Sequence, residues 1–189
     1  MATLFPLEPA FPPGFSYEEG FLSTAEEEQL VTHIASLTLH TFVFQGYEAK
    51  RKVASFGYDW NFDTRTLTKG EPIPAVFAPL LEKVAAHLRL DKERIAELLV
   101  TAYEPGTVIN WHRDAPPFDT VIGISLLSGC TFKLRPHDKE KQGRKATLSF
   151  PVARRSLYVI SGESRSEWQH SIAPVKDLRY SVTLRTLLK

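Results

Sequence analysis

Residues 179–185 read RYSVTLR and alternate strictly between polar and apolar side chains. Because side chains of a β-strand point to opposite faces in turn, this segment is predicted to be a strand with two different faces. One face carries Arg179, Ser181, Thr183 and Arg185, and the other carries Tyr180, Val182 and Leu184. If the polar face lines a barrel, a small ligand with carboxylate groups offsets the cost of burying two cations about 20 Å apart along the strand. If that face meets solvent, these are ordinary surface arginines, and the strand alone favours neither interpretation.

Seven further segments have the same two-residue period, and two segments have a helical period. The helices are predicted over about 23–37, where Ser23 to Glu26 has the form of a capping box, and over about 74–89. The further strands are predicted at Thr41–Gln45, Lys52–Tyr58, Glu97–Tyr103, Thr120–Leu127, Thr131–Arg135, Ala146–Phe150 and Ser156–Ile160. Two helices and many short strands favour an α+β domain built as a sandwich or double-sheet barrel over an alternating parallel sheet.

The first 20 residues differ from the rest in their proline content, with prolines at positions 6, 9, 12 and 13. The fixed φ angle of proline and its missing N–H disfavour both helix and sheet. We therefore predict an extended N-terminal arm over residues 1–20, lying on a single domain that spans residues 21–189.

Composition and charge exclude several classes of protein. The chain has 189 residues, of which 43% are hydrophobic, and this is enough to form a sizeable core. Its formal net charge of +1 excludes the strong positive field of a sequence-independent nucleic-acid binder, so any contact with nucleic acid must be a local patch. Cys130 is the only cysteine, which excludes an intramolecular disulfide and a cysteine zinc finger. With no apolar run of about 18 residues and no signal-peptide pattern, we expect a cytoplasmic monomer without a membrane span.

A candidate metal site begins at residues 111–114, which read WHRD. In an extended segment His112 and Asp114 point to the same side, so one imidazole and one carboxylate can share a cation. His170 would complete a set of two nitrogens and one oxygen, which is typical of non-haem Fe(II) oxygenases. The His-x-Asp pattern alone is weak evidence, because most isolated histidines are ordinary surface or core residues.

Taken together, these motifs resemble the AlkB-type Fe(II) and 2-oxoglutarate dioxygenases over roughly residues 15–188. The resemblance rests on His112-x-Asp114, on GESR at 162–165 followed by Trp168 and His170, and on RYSVTLR, with FGY at 56–58 and YEPG at 103–106 as further matches. It implies a double-stranded β-helix, a jelly-roll or cupin-like barrel, with N-terminal helices packed on one sheet. It also implies Fe(II), 2-oxoglutarate as co-substrate, and O₂.

The resemblance assigns roles to individual residues. His112, Asp114 and His170 are implied to hold the catalytic iron. The implied co-substrate residues are Arg179 for the distal carboxylate, Tyr103 as its hydrogen-bonding companion, Arg185 as a second arginine near the co-substrate, and Ser181 and Thr183 for hydroxyl contacts. Ser181 and Thr101 stand where the family commonly has asparagine, and each keeps an oxygen but loses an amide.

Substrate contacts are predicted in two places. Phe56, Tyr58, Trp60 and Phe62 recur at period two within a segment of about 40–70, which by resemblance forms a substrate lid. We expect Tyr58 and Trp60 to stack on a base and Phe56 and Phe62 to fill the core. The basic run at 133–145, together with residues 50–52, steers a phosphate backbone in one interpretation and is a solvated turn in the other.

The resulting hypothesis is an oxygenase that demethylates or hydroxylates a nucleobase in methylated DNA or RNA, as in DNA repair, releasing succinate and CO₂. One alternative keeps this chemistry on a protein side chain or a small metabolite. Another is a catalytically idle barrel that binds nucleic acid, although the intact iron and arginine positions count against it.

Overall fold

The computed structural model describes residues 11–44, 46–143 and 146–188, and leaves the side chains of residues 44 and 47 undescribed. Within these ranges the helices are α1 (Thr24–Ala35), α2 (Ala78–Leu88) and the short α3 (Gly162–Ser166). The strands are β1 (Phe15–Glu18), β2 (His40–Phe44), β3 (Tyr47–Asn61), β4 (Thr66–Lys69), β5 (Ile95–Tyr103), β6 (Ile109–His112), β7 (Phe118–Leu126), β8 (Cys130–Pro136), β9 (Leu148–Val152), β10 (Leu157–Ile160), β11 (Trp168–Ile172) and β12 (Arg179–Leu187). No helix among the described residues is long and apolar enough to cross a membrane.

The strands form two antiparallel sheets. The larger has eight strands in the order β1-β10-β7-β12-β5-β3-β2, with β4 paired to β3, and the smaller has the order β6-β11-β8-β9. The segment RYSVTLR lies in β12, at the centre of the larger sheet between β7 and β5. Its position buries both of its faces, which removes the alternative of a solvent-facing strand.

Helices α1 and α2 cover the outer face of the larger sheet. Helix α1 begins where Ser23 and Glu26 form the predicted capping box, and it buries Leu30 and Ile34. Helix α2 carries a proline in its first turn, where the missing N–H costs no hydrogen bond, and a 3-10 turn at Ala75–Phe77 precedes it. The apolar side chains of β12, Val182 and Leu184, pack in this core.

A second apolar cluster lies between the two sheets and supports the site. It joins Phe15 of β1, Phe132 of β8, Phe150 of β9 and Tyr158 of β10. The ring of Phe132 also stacks on His170, with centroids 5.6 Å apart and planes 7° apart. Phe132 therefore joins this aromatic cluster to the histidine of the candidate metal site.

The structure differs from the sequence prediction at the N-terminal arm. Residues 1–10 lie outside the described part, but Phe15–Glu18 pair with β10 as an edge strand instead of forming an unpaired arm. The last proline is Pro13, so the two-residue period of Phe15 and Tyr17 can join the sheet once the prolines end, and Phe15 is buried between the sheets. The prediction that prolines keep the whole arm out of sheets was wrong for these four residues.

The segment of about 40–70 is partly sheet. Strand β3 pairs with β5 from Arg51 to Gly57, and the hairpins of β2 with β3 and of β3 with β4 extend beyond the two ends of that pairing. Phe56 packs against the helix-side core, as predicted, but Phe62 is 47% exposed, so its assignment to the core was wrong. Phe62 follows the end of β3, where the Asn61 side chain accepts hydrogen bonds from two backbone N–H groups and turns the chain.

Candidate active site

Two histidines and an aspartate converge at one end of the smaller sheet. Strands β6 and β11 are antiparallel, and their register places His112 directly opposite His170. The two imidazole centroids are 4.2 Å apart, and Asp114 follows β6 by two residues. Each of the three residues offers a ligand atom, and these atoms all lie within 4.8 Å of one another.

The protonation of the three side chains suits a cation. His112 Nδ1 lies 2.8 Å from the carbonyl oxygen of Asn110, and donation to that carbonyl leaves the Nε2 lone pair free. Burial lowers the pKa of His170 to about 3, and the neighbouring His112 adds to this, so His170 is neutral near pH 7. Burial alone would raise the pKa of Asp114, but the positive charge of Arg185 outweighs it and holds that pKa well below its usual range.

One oxygen of Asp114 has no hydrogen-bond partner. Asp114 Oδ2 is buried and forms no hydrogen bond with a described residue, although it lies 3.4 Å from His170 Nε2. An ionised, buried carboxylate oxygen without a partner costs free energy unless a cation is bound beside it. Two imidazoles and one carboxylate therefore fit a divalent transition metal, and match the ligand set of non-haem Fe(II) sites.

Arg185 holds the other oxygen of the same carboxylate. Its Nε and Nη2 lie 2.8 and 2.6 Å from Asp114 Oδ1, and its Nη1 donates to Glu97 on β5. Both carboxylates are nearly buried, each with about 4% of the side chain exposed. Arg185, which the resemblance places near the co-substrate, thus orients the candidate iron ligand Asp114. Its second carboxylate partner is Glu97, a residue that the sequence interpretation did not single out.

Arg165 fixes the loop that carries Asp114. Its Nη2 lies 3.2, 2.8 and 2.9 Å from the carbonyl oxygens of Asp114, Ala115 and Phe118. Arg113 adds a hydrogen bond of 2.6 Å in the reverse direction, to the carbonyl oxygen of Ser166. The GESR segment therefore acts on the metal site through the backbone of the loop.

We expect Arg165→Ala to weaken Fe(II) binding by about 10- to 100-fold, the range typical of residues that orient metal ligands. The loss of three hydrogen bonds frees the loop after β6 and spreads Asp114 over several positions. Metal titration of the anaerobic protein measures the affinity. Arg94→Ala is the control, because Arg94 is exposed and only 3.8 Å from Asp119 in a surface ion pair. Equal Fe(II) affinity in both variants would show that Arg165 does not position the ligand.

Arg179 lies at the other end of the polar face of β12 and is fully buried. Its Nε donates to Ser125 Oγ at 3.0 Å, but Nη1 and Nη2 have no hydrogen-bond partner among the described residues. Its Cζ lies 4.8 Å from the ring centroid of Tyr103, whose hydroxyl is 3.3 Å from Ser181 Oγ. A buried guanidinium with two free nitrogens fits a carboxylate that binds from within the barrel.

Thr183 lies between these two ends. It is buried on β12, two residues from Ser181 and two from Arg185, and its register partners are Leu99 and Gly123. The residues predicted to bind the co-substrate thus lie along one inner face, with the candidate carboxylate site at Arg179 and the candidate metal site next to Arg185.

The candidate substrate residues Arg51, Tyr58 and Trp60 lie on β3 and not on the inner face of β12. Arg51 of β3 is in register with Tyr103, is half-buried, and holds its Cζ 4.0 Å over the ring of Phe42. Tyr58 lines a groove of about 510 Å³ together with Lys69 and Arg94, and none of the candidate iron or co-substrate residues lines that groove. Trp60 lies on the same hairpin, opposite Leu67.

The basic run forms a hairpin, as its pattern indicates. Strands β8 and β9 are paired, and residues 144 and 145 of the run lie outside the described residues. Arg135 stacks over the ring of Trp111, the neighbour of His112, at 4.4 Å and donates to Gln169 at 2.8 Å. Because side chains alternate along a strand, Arg135, Trp111 and Gln169 lie on the face of the smaller sheet opposite to His112 and His170.

Comparison with known proteins agrees with this geometry. A sequence model of the 2OG-Fe(II) oxygenase superfamily matches residues 15–185. A mouse protein named tRNA (carboxymethyluridine(34)-5-O)-methyltransferase ALKBH8 is 33% identical over 175 residues, covering 88% of this chain and 25% of the mouse protein. An Arabidopsis thaliana protein named alkylated DNA repair protein ALKBH8 homolog is 29% identical over 187 residues, covering 85% of this chain and 51% of the relative.

A solved structure, that of OsALKBH1, superposes with a TM-score of 0.70 and covers 96% of this chain and 100% of that one. At 15% sequence identity, this similarity shows the fold alone. The chain spans about a quarter of the length of the mouse relative, so the activity in that protein's name belongs to a much longer polypeptide.

Proposed function

Because the chain belongs to the 2OG-Fe(II) oxygenase superfamily as an AlkB-type member, we propose that it demethylates or hydroxylates a nucleobase in DNA or RNA. The predicted resemblance and the predicted double-stranded β-helix are confirmed. The family uses Fe(II), 2-oxoglutarate and O₂, and when bound together these oxidise a C–H bond and release succinate and CO₂.

We assign iron binding to the Arg185 end of the inner face of β12 and co-substrate binding to the Arg179 end. His112, Asp114 and His170 hold the iron, and Arg185 keeps the Asp114 carboxylate ionised and oriented. Arg179 binds the distal carboxylate of 2-oxoglutarate, with Tyr103, Ser181 and Thr183 beside it. The observation that carries this assignment is the pair of unpartnered, buried nitrogens of Arg179, because a buried cation in a protein requires an anion.

Nucleic acid is the substrate class that the surroundings favour. Arg51 lies on Phe42, is in register with Tyr103 on the neighbouring strand, and has no ion pair among the described residues. Arginines stacked on aromatic rings at the edge of a pocket suit phosphate and base contacts. The names of the mouse and Arabidopsis relatives refer to tRNA and to alkylated DNA, which supports the same class.

Succinate formation tests the substrate class directly. The purified protein with Fe(II) and 2-oxoglutarate is offered methylated DNA, methylated RNA, modified tRNA and methylated peptides in parallel. We expect a nucleic acid to raise succinate formation above the substrate-free rate, with formaldehyde as a second product where an N-methyl group is removed. Stimulation by peptides alone would contradict the nucleobase proposal while leaving the oxygenase class intact.

Stacking on the β3–β4 hairpin is tested at Trp60. We expect Trp60→Ala to raise the KM for an oligonucleotide substrate about 5- to 100-fold, because one base–aromatic contact contributes about 1–3 kcal/mol. Substrate-free turnover of 2-oxoglutarate should stay unchanged, since Trp60 contacts none of the described iron ligands. Trp60→Phe keeps a ring and should recover most of the affinity. An alanine variant with the wild-type KM would remove Trp60 from the substrate site.

A further inference from the structure

Tyr158 of β10 points onto the same inner face as the candidate co-substrate residues. Its register partner on β7 is Gly123, and the partner of Gly123 on β12 is Thr183. Residues opposite one another in antiparallel strands share a face, so Tyr158, Gly123 and Thr183 form one row across the sheet. This row lies between the rows of Arg179 and Arg185, four residues from Arg179 and two from Arg185.

The ring of Tyr158 crosses this row above Gly123. A Cβ atom at position 123 would lie 2.0 Å from Tyr158 Cζ and 2.4 Å from its hydroxyl oxygen. Any residue other than glycine would therefore displace the ring. Because Gly123 leaves this space, the phenol group reaches from β10 towards β12, where the arginines project.

The hydroxyl of Tyr158 forms no hydrogen bond with a described residue. The residue is 6% exposed, and no hydrogen bond among the described residues involves its hydroxyl. The ring of Phe132, 4.8 Å away between centroids, and the stacked ring of Phe15, 6.4 Å away, hold the ring in place. Buried hydroxyl groups in proteins are normally hydrogen-bonded, so this one is positioned for a ligand.

The environment keeps this hydroxyl protonated. Burial raises the pKa of Tyr158, Tyr103 raises it further, and the charge of Arg179 opposes the shift. The neighbouring Cys130 and Asp114 raise this pKa slightly further. A neutral phenol placed between a guanidinium and a metal site is a hydrogen-bond donor aimed at an anion that joins them.

We propose that Tyr158 is a further co-substrate-binding residue, whose hydroxyl donates a hydrogen bond to 2-oxoglutarate between Arg179 and the iron ligands. The inference rests on the co-substrate site proposed above. It adds a contact from β10, a strand that none of the recognised motifs includes. Gly123 and Tyr158 then act as a pair, because the glycine makes room for the phenol ring.

The test is the dissociation constant of 2-oxoglutarate for the Mn(II)-loaded protein, measured by calorimetry without turnover. Tyr158→Phe removes only the hydroxyl, and we expect the constant to rise about 10-fold, as for a lost hydrogen bond to a charged group. Under turnover, the KM for 2-oxoglutarate should rise while kcat stays near the wild-type value. Tyr180→Phe is the matched control, because Tyr180 lies on the helix-side face of β12.

A second variant tests whether the position of the Tyr158 ring matters for 2-oxoglutarate binding. Gly123→Ala forces the ring away, so we expect it to weaken 2-oxoglutarate binding at least as much as Tyr158→Phe does. Tyr158→Phe with wild-type affinity would overturn the inference while leaving the co-substrate site in place. Wild-type protein that fails to bind 2-oxoglutarate would overturn the site and the inference together.

Discussion

Replacing Arg179 with alanine is expected to raise the KM for 2-oxoglutarate about 30-fold or more, with Fe(II) affinity close to the wild-type value. Arg179 is fully buried, and its Nη1 and Nη2 have no hydrogen-bond partner among the residues that the structure describes. Truncating one member of a buried, hydrogen-bonded charge pair costs about 2–5 kcal/mol, and each 1.4 kcal/mol corresponds to a factor of ten in affinity. Iron binding is spared because Arg179 contacts none of the three ligands. Steady-state kinetics and metal titration measure the two effects separately.

The stability of the ligand-free protein distinguishes this role from a structural one. Arg179→Met replaces a buried cation by an apolar side chain of similar length, and such replacements are often neutral or stabilising when the charge has no partner. We therefore expect the Tm without ligand to stay equal or rise, and the increase in Tm caused by 2-oxoglutarate to disappear. A variant that loses iron and co-substrate affinity equally, with a lower Tm, would show that Arg179 supports the fold instead.

Local periodicity was enough to predict the inner face of β12. The alternation in RYSVTLR assigns Arg179, Ser181, Thr183 and Arg185 to one face whatever the neighbouring strands are, because the side-chain period of a strand is fixed. The same rule gives His112 and Asp114 a common side. The convergence with His170 is different, since it depends on the register of β6 against β11, which no local spacing determines. The donor set and the family resemblance pointed to it.

The sequence interpretation did not predict the contacts between strands that are distant in the sequence. Glu97 and Tyr158 each act through a partner that is far away in the sequence, so no spacing pattern marks them. Arg165 belongs to the recognised GESR motif, but its hydrogen bonds to the loop after β6 could not be predicted from it. One signal was available: Glu97 interrupts an otherwise apolar strand at 95–103, and an acid in such a strand requires a buried partner. The cytoplasmic location and the monomeric state remain predictions.

Replacing His112 with alanine should abolish iron binding at the candidate metal site while leaving the fold intact. Anaerobic wild-type protein with Fe(II) and 2-oxoglutarate is expected to show a weak visible charge-transfer band, and His112→Ala is expected to lose it. His112 is the most suitable ligand to remove, because within the described part of the chain its side chain hydrogen-bonds only to the carbonyl oxygen of Asn110, and it is the most exposed of the three. Removing Asp114 would instead leave Arg185 without its main partner, and removing His170 would open a space against Phe132.

The metal affinity of His112→Ala should fall by more than the 10- to 100-fold typical of residues that only orient ligands. Of the three donors only Asp114 and His170 remain, and a ferrous ion held by one carboxylate and one imidazole exchanges readily with solvent. His137→Ala is the matched control, because His137 is exposed on the hairpin between β8 and β9. The Tm of both variants without metal should equal that of the wild type, so a lost band reports coordination and not unfolding. An unchanged band in His112→Ala would remove His112 from the metal site, and with it the convergence of β6 and β11 on one ion.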